Sequence, residues 1–238
     1  GAGGEGGTIS LSAAGALTLG GSTSVAGGQG GQGGSGYYDY STSTYSGTSG
    51  NGGAGGNAGS ISVSGASLVL SGATLKAIGG AGATGSIYGT ANGSAGAGGL
   101  SSPITLATAG DIAVTGSNYV DASEVNLLAG KSILFGTTGT SPTSGYLYSN
   151  YYSNHSSSLT LIANWNGLTA AADIAAAGQC VDSSFCGIGG SGAIDGNYYY
   201  YYYGTHPNGG AVTLKAPGDI DLKNVAVYAR GNTGYNYG

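Results

Sequence analysis

The chain has 238 residues, of which 53 are Gly and 19 are Tyr, and only 6% carry a charged side chain. Its formal net charge is −5 with five Lys and Arg together, so the sequence offers no basic stripe for nucleic-acid phosphates and argues against that class of partner. An ordinary domain has about a quarter charged residues and a disordered segment combines low hydrophobicity with high net charge, whereas this chain, with 40% hydrophobic residues, fits neither class.

The sequence contains none of the usual targeting or membrane signals. No Met occurs, and no charged stretch leads into an apolar segment as it does in a signal peptide. We therefore interpret the chain as a processed piece or a window of a longer protein. No run of 18 apolar residues predicts a membrane-spanning helix.

Six segments, taken in chain order, repeat one pattern of apolar residues. Each begins with two apolar residues separated by one other residue, and a second such pair starts eight residues later in four of the six segments. The first pairs are Ile9 and Leu11, Ile61 and Val63, Ile104 and Leu106, Val125 and Leu127, Leu159 and Leu161, and Val212 and Leu214. The fifth segment is the weakest match, because its second pair, at Leu168 and Ala170, starts one residue late. This alternation, bounded by Gly, predicts short strands with one buried face, and frequent Gly disfavours helices.

The third and fourth segments give the length of one repeat, since Ile104 and Val125 are 21 residues apart. A third short strand fits at residues 119–122, with counterparts at 24–26 and 225–227. Strands that stack on their equivalents about 4.8 Å away predict an all-β fold. The specific prediction is a parallel β-solenoid of about six coils, in which the first pairs of the repeats stack as a core ladder.

Insertions interrupt the coils at approximately residues 29–58, 80–100, 136–157, 175–210 and 231–238. They hold most of the tyrosines, from which we predict as loop interaction residues Tyr37, Tyr38, Tyr40, Tyr146, Tyr148, Tyr151, Tyr152, Tyr198, Tyr199, Tyr200, Tyr201, Tyr202 and Tyr203. Insertions in a solenoid map to loops on one side, often the binding side. We therefore expect Tyr-rich loops beside a single solenoid domain that covers residues 1–238.

Two interpretations of the tyrosine loops stay open. Tyr offers large, stiff, amphipathic contact area, so exposed Tyr can bind protein or glycan. Alternatively, the loops fold back as a second layer in which Tyr packs on the sheets and between neighbouring subunits. The glycine-rich stretches 27–34 and 52–59 are expected to allow close backbone approach and to form short polyproline-II-like strands.

Two covalent modifications are suggested by the sequence. Cys180 and Cys186 have a spacing that suits a small disulfide loop in an oxidising compartment, and two free thiols are the alternative. Asn92 and Asn154 each begin a glycosylation sequon on a predicted surface loop.

Residues with catalytic potential are few. Asp173, Asp182, Asp195 and His206 share one insertion, but nothing in their spacing holds two carboxylates at the separation that a glycosidase needs. We interpret them as loop polarity and predict no enzyme. His155 and His206 have no Cys or carboxylate at ligand spacing, so neither a metal nor another cofactor is predicted.

Three coil segments, residues 104–116, 125–134 and 212–222, carry a family resemblance. They resemble the coils of filamentous-haemagglutinin-type exoproteins, which are large bacterial adhesins exported by two-partner secretion. The resemblance covers the coil portions of the chain and implies a right-handed parallel β-helix outside a bacterial cell, serving adhesion or matrix structure. The Gly and Tyr insertions depart from the compact coils of that family.

The two ends of the chain suggest an array, because placing Gly1 after Gly238 reproduces a Tyr/Gly insertion that leads into the next coil. Unpaired solenoid edges invite stacking, and a contact that does not close produces a filament. We therefore expect a structural segment of an extracellular filament or biofilm matrix, with itself as partner, either head to tail or in a covalent array. The alternatives are an adhesin stalk whose Tyr loops bind host or matrix glycans, a pectate-lyase-type enzyme, and a silk-like glycine-rich assembly without a solenoid.

Overall fold

The computed structural model describes residues 1–136, 143–149, 158–164, 187–196 and 210–229, and in these residues all regular secondary structure is β. The strands are β1 (Ile9–Ser12), β2 (Ala16–Ser24), β3 (Tyr37–Asp39), β4 (Thr44–Ser46), β5 (Ile61–Gly65), β6 (Ser67–Ala77), β7 (Ile104–Thr108), β8 (Ile112–Ala122), β9 (Glu124–Ala129), β10 (Ile133–Phe135), β11 (Gly145–Ser149), β12 (Ser158–Ile162), β13 (Ile188–Asp195), β14 (Ala211–Lys215) and β15 (Ile220–Tyr228). The all-β prediction is confirmed. No helix long and apolar enough to cross a membrane occurs in the described ranges.

The chain divides into two compact units. One, called here the glycine unit, comprises Gly1–Ile9, Val25–Ser60 and Ala77–Ser102. The other, called the sheet unit, comprises Ser10–Ser24, Ile61–Lys76 and Pro103–Gly238. The sequence insertions after β2 and β6 therefore form a unit of their own.

The sheet unit contains a six-stranded sheet in the order β1-β5-β7-β9-β12-β14. Its pairings of β5 with β7, β7 with β9, β9 with β12 and β12 with β14 are parallel and keep the register of the sequence repeat. Ile104 lies opposite Ile61 on one side and Val125 on the other, and Leu159 lies between Val125 and Val212. Each strand of this sheet therefore comes from a different repeat.

A seven-stranded sheet is built from the second halves of the repeats, in the order β10-β13-β11-β8-β6-β2 with β15 paired to β13. Strands β2, β6 and β8 bend at Gly21, Gly72 and Gly116, whose φ angles are 73°, 67° and 62°. Only Gly adopts this left-handed conformation without strain, which explains its recurrence at this bend. The third short strand that we predicted at 119–122 is thus continuous with β8.

The predicted second pair of the fifth repeat, Leu168 and Ala170, lies outside the described residues. In the described part of the chain, β12 is followed by β13, whose first residue Ile188 lies opposite Ile133 and Ile220. Glycines at positions 189, 190 and 192 interrupt the alternation of apolar residues, so periodicity gave no signal there. Strands β11 and β13 accordingly lie within the ranges 136–157 and 175–210 that we interpreted as insertions.

The core ladder is buried in the interior strands and open at the two edges. Eight ladder residues are almost fully buried: Ile61, Val63, Ile104, Leu106, Val125, Leu127, Leu159 and Leu161. Leu11 on β1 is 37% exposed, and Ile9, Val212 and Leu214 are half-buried. We predicted these four as core-ladder residues too, and they are less buried than the interior ones because β1 and β14 are the edge strands of the sheet.

The glycine unit consists mainly of five extended segments that are joined by backbone hydrogen bonds instead of a hydrophobic core. We call them the first to fifth glycine segments: residues 1–7, 27–34, 50–59, 78–86 and 93–100. The second donates to the fourth from every third residue, with Gly27, Gly30 and Gly33 bonded to the carbonyls of Ile78, Ala81 and Thr84 at 3.0, 3.0 and 3.2 Å. Three residues per turn is the periodicity of polyproline II, the conformation predicted for 27–34 and 52–59.

Neighbouring glycine segments pack too closely for side chains. A Cβ atom added at Gly27, Gly30 or Gly33 would overlap a carbonyl oxygen of the third segment. The triplet spacing of Gly is therefore a packing requirement, since each turn presents one backbone face to its neighbour. The residues between these glycines, such as Gln29 and Gln32, are exposed.

Candidate interaction surfaces

The two edges of the sheet unit expose residues that are buried in the interior strands. Leu222 on edge strand β15 is 37% exposed, and Ile220 and Val227 on the same strand are also exposed. Their counterparts Ile188 and Ile194 on β13, opposite Ile220 and Val227, are fully buried. The difference is the absence of a further strand above β15 in the described part of the chain.

The opposite edge, formed by β1 and β2, also exposes apolar side chains. Leu11 on β1 is exposed, while Leu17 and Leu19 on β2 are half-buried. Both edges therefore present apolar side chains at the positions of the core ladders. A further pair of parallel strands on either edge would bury them in the same way as the interior strands.

A cluster of four tyrosines, Tyr38, Tyr40, Tyr45 and Tyr88, forms around the β3–β4 hairpin of the glycine unit. Tyr38 lies opposite Tyr45 in the antiparallel pairing, with ring centroids 4.8 Å apart. Tyr40 contacts Tyr38 edge to face at 5.0 Å, and Tyr88 contacts Tyr45 at 5.5 Å. Tyr40 is 86% exposed and Tyr37 is 72% exposed, so this hairpin, which we had placed in a loop, presents aromatic surface to solvent.

The hairpin turn is held by a carboxylate. The Ser41 hydroxyl and backbone N–H both donate to Asp39 Oδ1, at 2.6 and 2.8 Å. These bonds favour the ionised form, and the bond from the Ser41 hydroxyl, followed by that from its N–H, lowers the pKa of Asp39. Ser43 completes the turn with a φ of 52°. The turn therefore presents Tyr40 at the tip of an ordered hairpin.

A shallow cavity of about 330 Å³ adjoins this tyrosine cluster within the glycine unit. It is lined by Gln32, Ser35, Thr84, Ser86, Ile87 and Tyr88, together with backbone of Gly33 and Gly85. Hydroxyl, amide and aromatic groups are thus combined in one concave surface.

A second set of stacked tyrosines lies on the seven-stranded sheet. The rings of Tyr119 and Tyr148 stack with centroids 5.5 Å apart, and those of Tyr146 and Tyr148 stack at 5.8 Å. Tyr148 lies directly opposite Tyr119 in the β8–β11 pairing. Tyr146 and Tyr148 are therefore strand residues rather than the loop residues that we predicted, and Tyr119 joins them without having been singled out from the sequence.

The remaining predicted site residues are placed only in part. Asn92 is exposed, and Asp195 is almost fully buried on β13, opposite Tyr148 and Tyr228. Outside the described residues lie Cys180, Cys186, Asn154, Asp173, Asp182, His206, Tyr151, Tyr152, Tyr198, Tyr199, Tyr200, Tyr201, Tyr202 and Tyr203. Within the described ranges no three His, Cys, Asp or Glu side chains form a group that could hold a metal ion.

Comparison of the chain with protein-family models, with curated proteins and with solved structures finds no match. The resemblance to filamentous-haemagglutinin-type exoproteins therefore stays an expectation from the three coil segments. Function has to be inferred from the surfaces described above.

Proposed function

We propose that this chain is a structural subunit or segment of an extracellular bacterial filament that grows end to end through the edges of its sheet unit. The observation that carries the proposal is the exposure of core-ladder residues at both edges, represented by Leu11 and Leu222. An edge strand also offers unpaired backbone N–H and C=O groups, so a second chain gains hydrogen bonds together with apolar burial.

The proposed architecture of the sheet unit is a parallel β-solenoid, right-handed as in the family that the coil segments resemble. It is supported by the order in which the chain visits the two sheets. The repeats supply β1 then β2, β5 then β6, β7 then β8, and β14 then β15, always to the six-stranded sheet first and the seven-stranded sheet second. A solenoid adds coils without limit, and its two ends are different surfaces, so their contact is heterologous and does not close.

At the proposed junction, β14 and β15 of one copy lie beside β1 and β2 of the next. Val212 and Leu214 then continue the ladder into Ile9 and Leu11 of the next copy. Both members of each pair are aliphatic, as in the Leu159–Val212 and Leu161–Leu214 pairs between β12 and β14 inside the chain. The same contact joins successive segments of a covalent array, so the proposal covers both forms of self-association.

Lateral packing between such filaments is assigned to the tyrosines. The hairpin cluster projects Tyr37 and Tyr40 into solvent, where they supply stiff amphipathic contact area. An extracellular location, with a role in biofilm matrix or at the cell surface, follows from the family resemblance alone. No catalytic role is proposed.

The test of end-to-end growth uses Leu11→Asp and Leu222→Asp chains. Each substitution places a charge where the junction would bury an aliphatic side chain, whose burial contributes about 1.5–3 kcal/mol, so we expect association to weaken by at least about tenfold. Folding should persist because both side chains are already exposed in the separate chain. Sedimentation velocity and negative-stain electron microscopy provide the readout.

The matched control is Ile87→Asp, which alters an apolar residue that is 65% exposed on the glycine unit. This chain should form filaments as the unaltered protein does. Filaments of normal length from both Leu variants would contradict the proposal, as would a monomeric unaltered chain at all concentrations tested.

An alternative function, an adhesin stalk that binds glycans through its tyrosine loops, is favoured by the cavity beside Tyr88. Tyr88 is half-exposed at its rim, and Gln32 and Thr84 offer hydrogen-bonding groups. Titration with soluble matrix oligosaccharides tests this function, with Tyr88→Ala as the variant and Tyr40→Ala as the control, since Tyr40 does not line the cavity. Binding that both variants retain, or that neither the variants nor the unaltered chain show, would exclude the cavity as a glycan site.

A further inference from the structure

Three glycines on the first glycine segment lack the close contacts that their equivalents have. A Cβ atom added at Gly1, Gly4 or Gly7 would meet no atom within 4 Å. On the third segment, by contrast, a Cβ atom at Gly53, Gly56 or Gly59 would overlap the carbonyl oxygens of Gly1, Gly4 and Gly7 themselves. We call the open row formed by Gly1, Gly4 and Gly7 the glycine face.

Hydrogen bonds between alternate glycine segments run forward along the chain, whereas adjacent segments bond backward, for example from Gly28 to the Gly4 carbonyl at 2.7 Å. The first segment donates to the third, from Gly3 to the Ala54 carbonyl at 2.7 Å and from Gly6 to the Asn57 carbonyl at 2.8 Å. The third donates to the fifth in the same manner, for example from Gly55 to the Ala97 carbonyl at 2.8 Å. Each of these segments thus accepts bonds from the one that precedes it.

The first segment accepts bonds from the second, from Gly28 and Gly31 to the carbonyls of Gly4 and Gly1, but in the described residues no segment donates to it as it donates to the third. Ala2 and Glu5 are the equivalents of Ala54 and Asn57, yet their carbonyl oxygens accept no hydrogen bond in the described part of the chain. A row of acceptors and a row of glycines therefore lie side by side without a neighbour. The same arrangement of acceptor carbonyls and glycines on the third segment is the surface that the first segment binds.

One segment of the sequence has the pattern that would fit this face. Residues 204–210 precede Val212 of β14 with the same spacing as residues 1–7 precede Ile9 of β1. Positions 204, 207 and 210, the equivalents of the glycine face, are Gly, Pro and Gly. Gly and Pro are both compatible with a polyproline-II backbone.

We propose that the glycine face binds residues 204–210 of a second copy of this chain, so that the glycine lattice continues across the filament junction. The inference rests on the proposed end-to-end contact, which brings the segment that leads into β14 of one copy next to the segment that leads into β1 of the next. Inside the chain the equivalent neighbours are already paired, since Ile9 donates to the Ser60 carbonyl at the entry to β5.

The substitution Gly4→Val tests the glycine face. Open space around Gly4 means that the thermal midpoint of the dispersed chain should stay unchanged, whereas association should weaken by about tenfold or more because the two segments could no longer approach. Gly98→Val is the matched control, because a Cβ at Gly98 meets only the Gly80 carbonyl oxygen at 3.8 Å and the residue lies away from this face. Sedimentation velocity over a concentration series measures the association.

A second measurement keeps the test valid if Gly4→Val alters folding. In a Gly4→Cys chain, maleimide labelling of position 4, located by mass spectrometry, should slow at least about tenfold when filaments form, because the face becomes covered. Labelling of a Gly98→Cys chain should be unaffected by assembly. Equal labelling of Gly4→Cys in dispersed and assembled protein would overturn the proposal.

The outcomes separate this inference from the proposed function. Loss of association in Leu222→Asp together with full association in Gly4→Val would refute the glycine contact and leave end-to-end growth standing. Full association in the Leu variants would remove the junction on which the inference depends. If the Leu→Asp variants and Gly4→Val all weaken association while the two controls do not, the result would support both end-to-end growth and the glycine contact.

Discussion

Asn118 connects three neighbouring strands of the seven-stranded sheet through one fully buried side chain. Its Oδ1 accepts from the backbone N–H of Ala73 on β6 at 2.9 Å, and its Nδ2 donates to the carbonyls of Thr115 and Tyr146, at 3.0 and 3.2 Å. The bond to Tyr146 reaches β11, and the bond to Thr115 supports the bend at Gly116. A side-chain amide thus satisfies backbone groups that the bend leaves unpaired.

Replacement of Asn118 by Leu should destabilise the chain by about 2–3 kcal/mol, because the change keeps the branched shape of the side chain but leaves a buried N–H and buried carbonyls without partners. Asn126→Leu on β9 is the matched control, since Asn126 is only half-buried in the neighbouring sheet. Urea unfolding followed by circular dichroism measures both. An equal loss of stability in the two variants would show that the buried bonds have no special weight.

The sequence alone could not identify Asn118. A polar residue within an alternating stretch predicts an outward position, and the predicted third strand starts one residue later, at 119. The same local pattern missed the stacking of Tyr119 on Tyr148, because ring contacts depend on which strands become neighbours. The apolar pairs could be predicted because each lies within a local alternation of apolar and polar residues. The role of Asn118 could not, because it depends on hydrogen bonds to groups on other strands.

Strands differ in how far their own residues determine where they form. Strands β5, β7 and β12 contain the predicted first pairs, and β5 and β7 begin at the predicted residues Ile61 and Ile104. Strand β13 was missed, although it pairs with β10, β11 and β15. Its three glycines provide backbone but little propensity, so its position is set by the strands on both sides rather than by local preference.

In the glycine segments, unlike in β13, the residue type itself is fixed. The backbones of neighbouring segments approach so closely that only Gly fits between them. Substitution Gly56→Ala should destabilise the chain by about 1–3 kcal/mol, because the added Cβ would overlap the carbonyl oxygen of Gly4 and force the segments apart. Thermal unfolding followed by circular dichroism gives the measurement.

Gly98→Ala is the control for that prediction at an open position of the fifth segment. We expect it to be neutral, or to stabilise by up to about 1 kcal/mol, since Ala restricts the unfolded chain more than Gly does. If Gly56→Ala were as harmless as Gly98→Ala, close packing would not be the reason for glycine in the third segment.

For the whole molecule, the two units reach stability by different physical means. The sheet unit buries aliphatic ladders, and the glycine unit joins extended segments by backbone hydrogen bonds at distances that exclude side chains. Each kind of repetition ends on a surface that still has the geometry of its interior: Leu11 and Leu222 in one unit, and the row of Gly1, Gly4 and Gly7 in the other. Self-association is the function that we propose for both surfaces.

Protection from trypsin provides a test at the scale of the whole molecule. Lys223 lies on edge strand β15 with its side chain 86% exposed, and its ion pair with Asp221 is long at 4.0 Å. Cleavage needs local opening of the strand, which is easiest at an edge that has one neighbour. We therefore expect rapid cleavage after Lys223 in the dispersed chain and cleavage at least about tenfold slower in filaments, where the next copy would cover β15.

Lys76 serves as the internal reference, because it lies half-buried on the interior strand β6 and should be cut slowly in both states. The Leu11→Asp chain, whose substitution lies away from the cleavage site, is the second reference. It should stay as sensitive as the dispersed protein under conditions that assemble the unaltered chain. Peptide mass spectrometry over a digestion time course distinguishes the sites. Cleavage after Lys223 at equal rates in filaments and in dispersed protein would mean that β15 is not buried at the junction, and growth through this edge would then have to be abandoned.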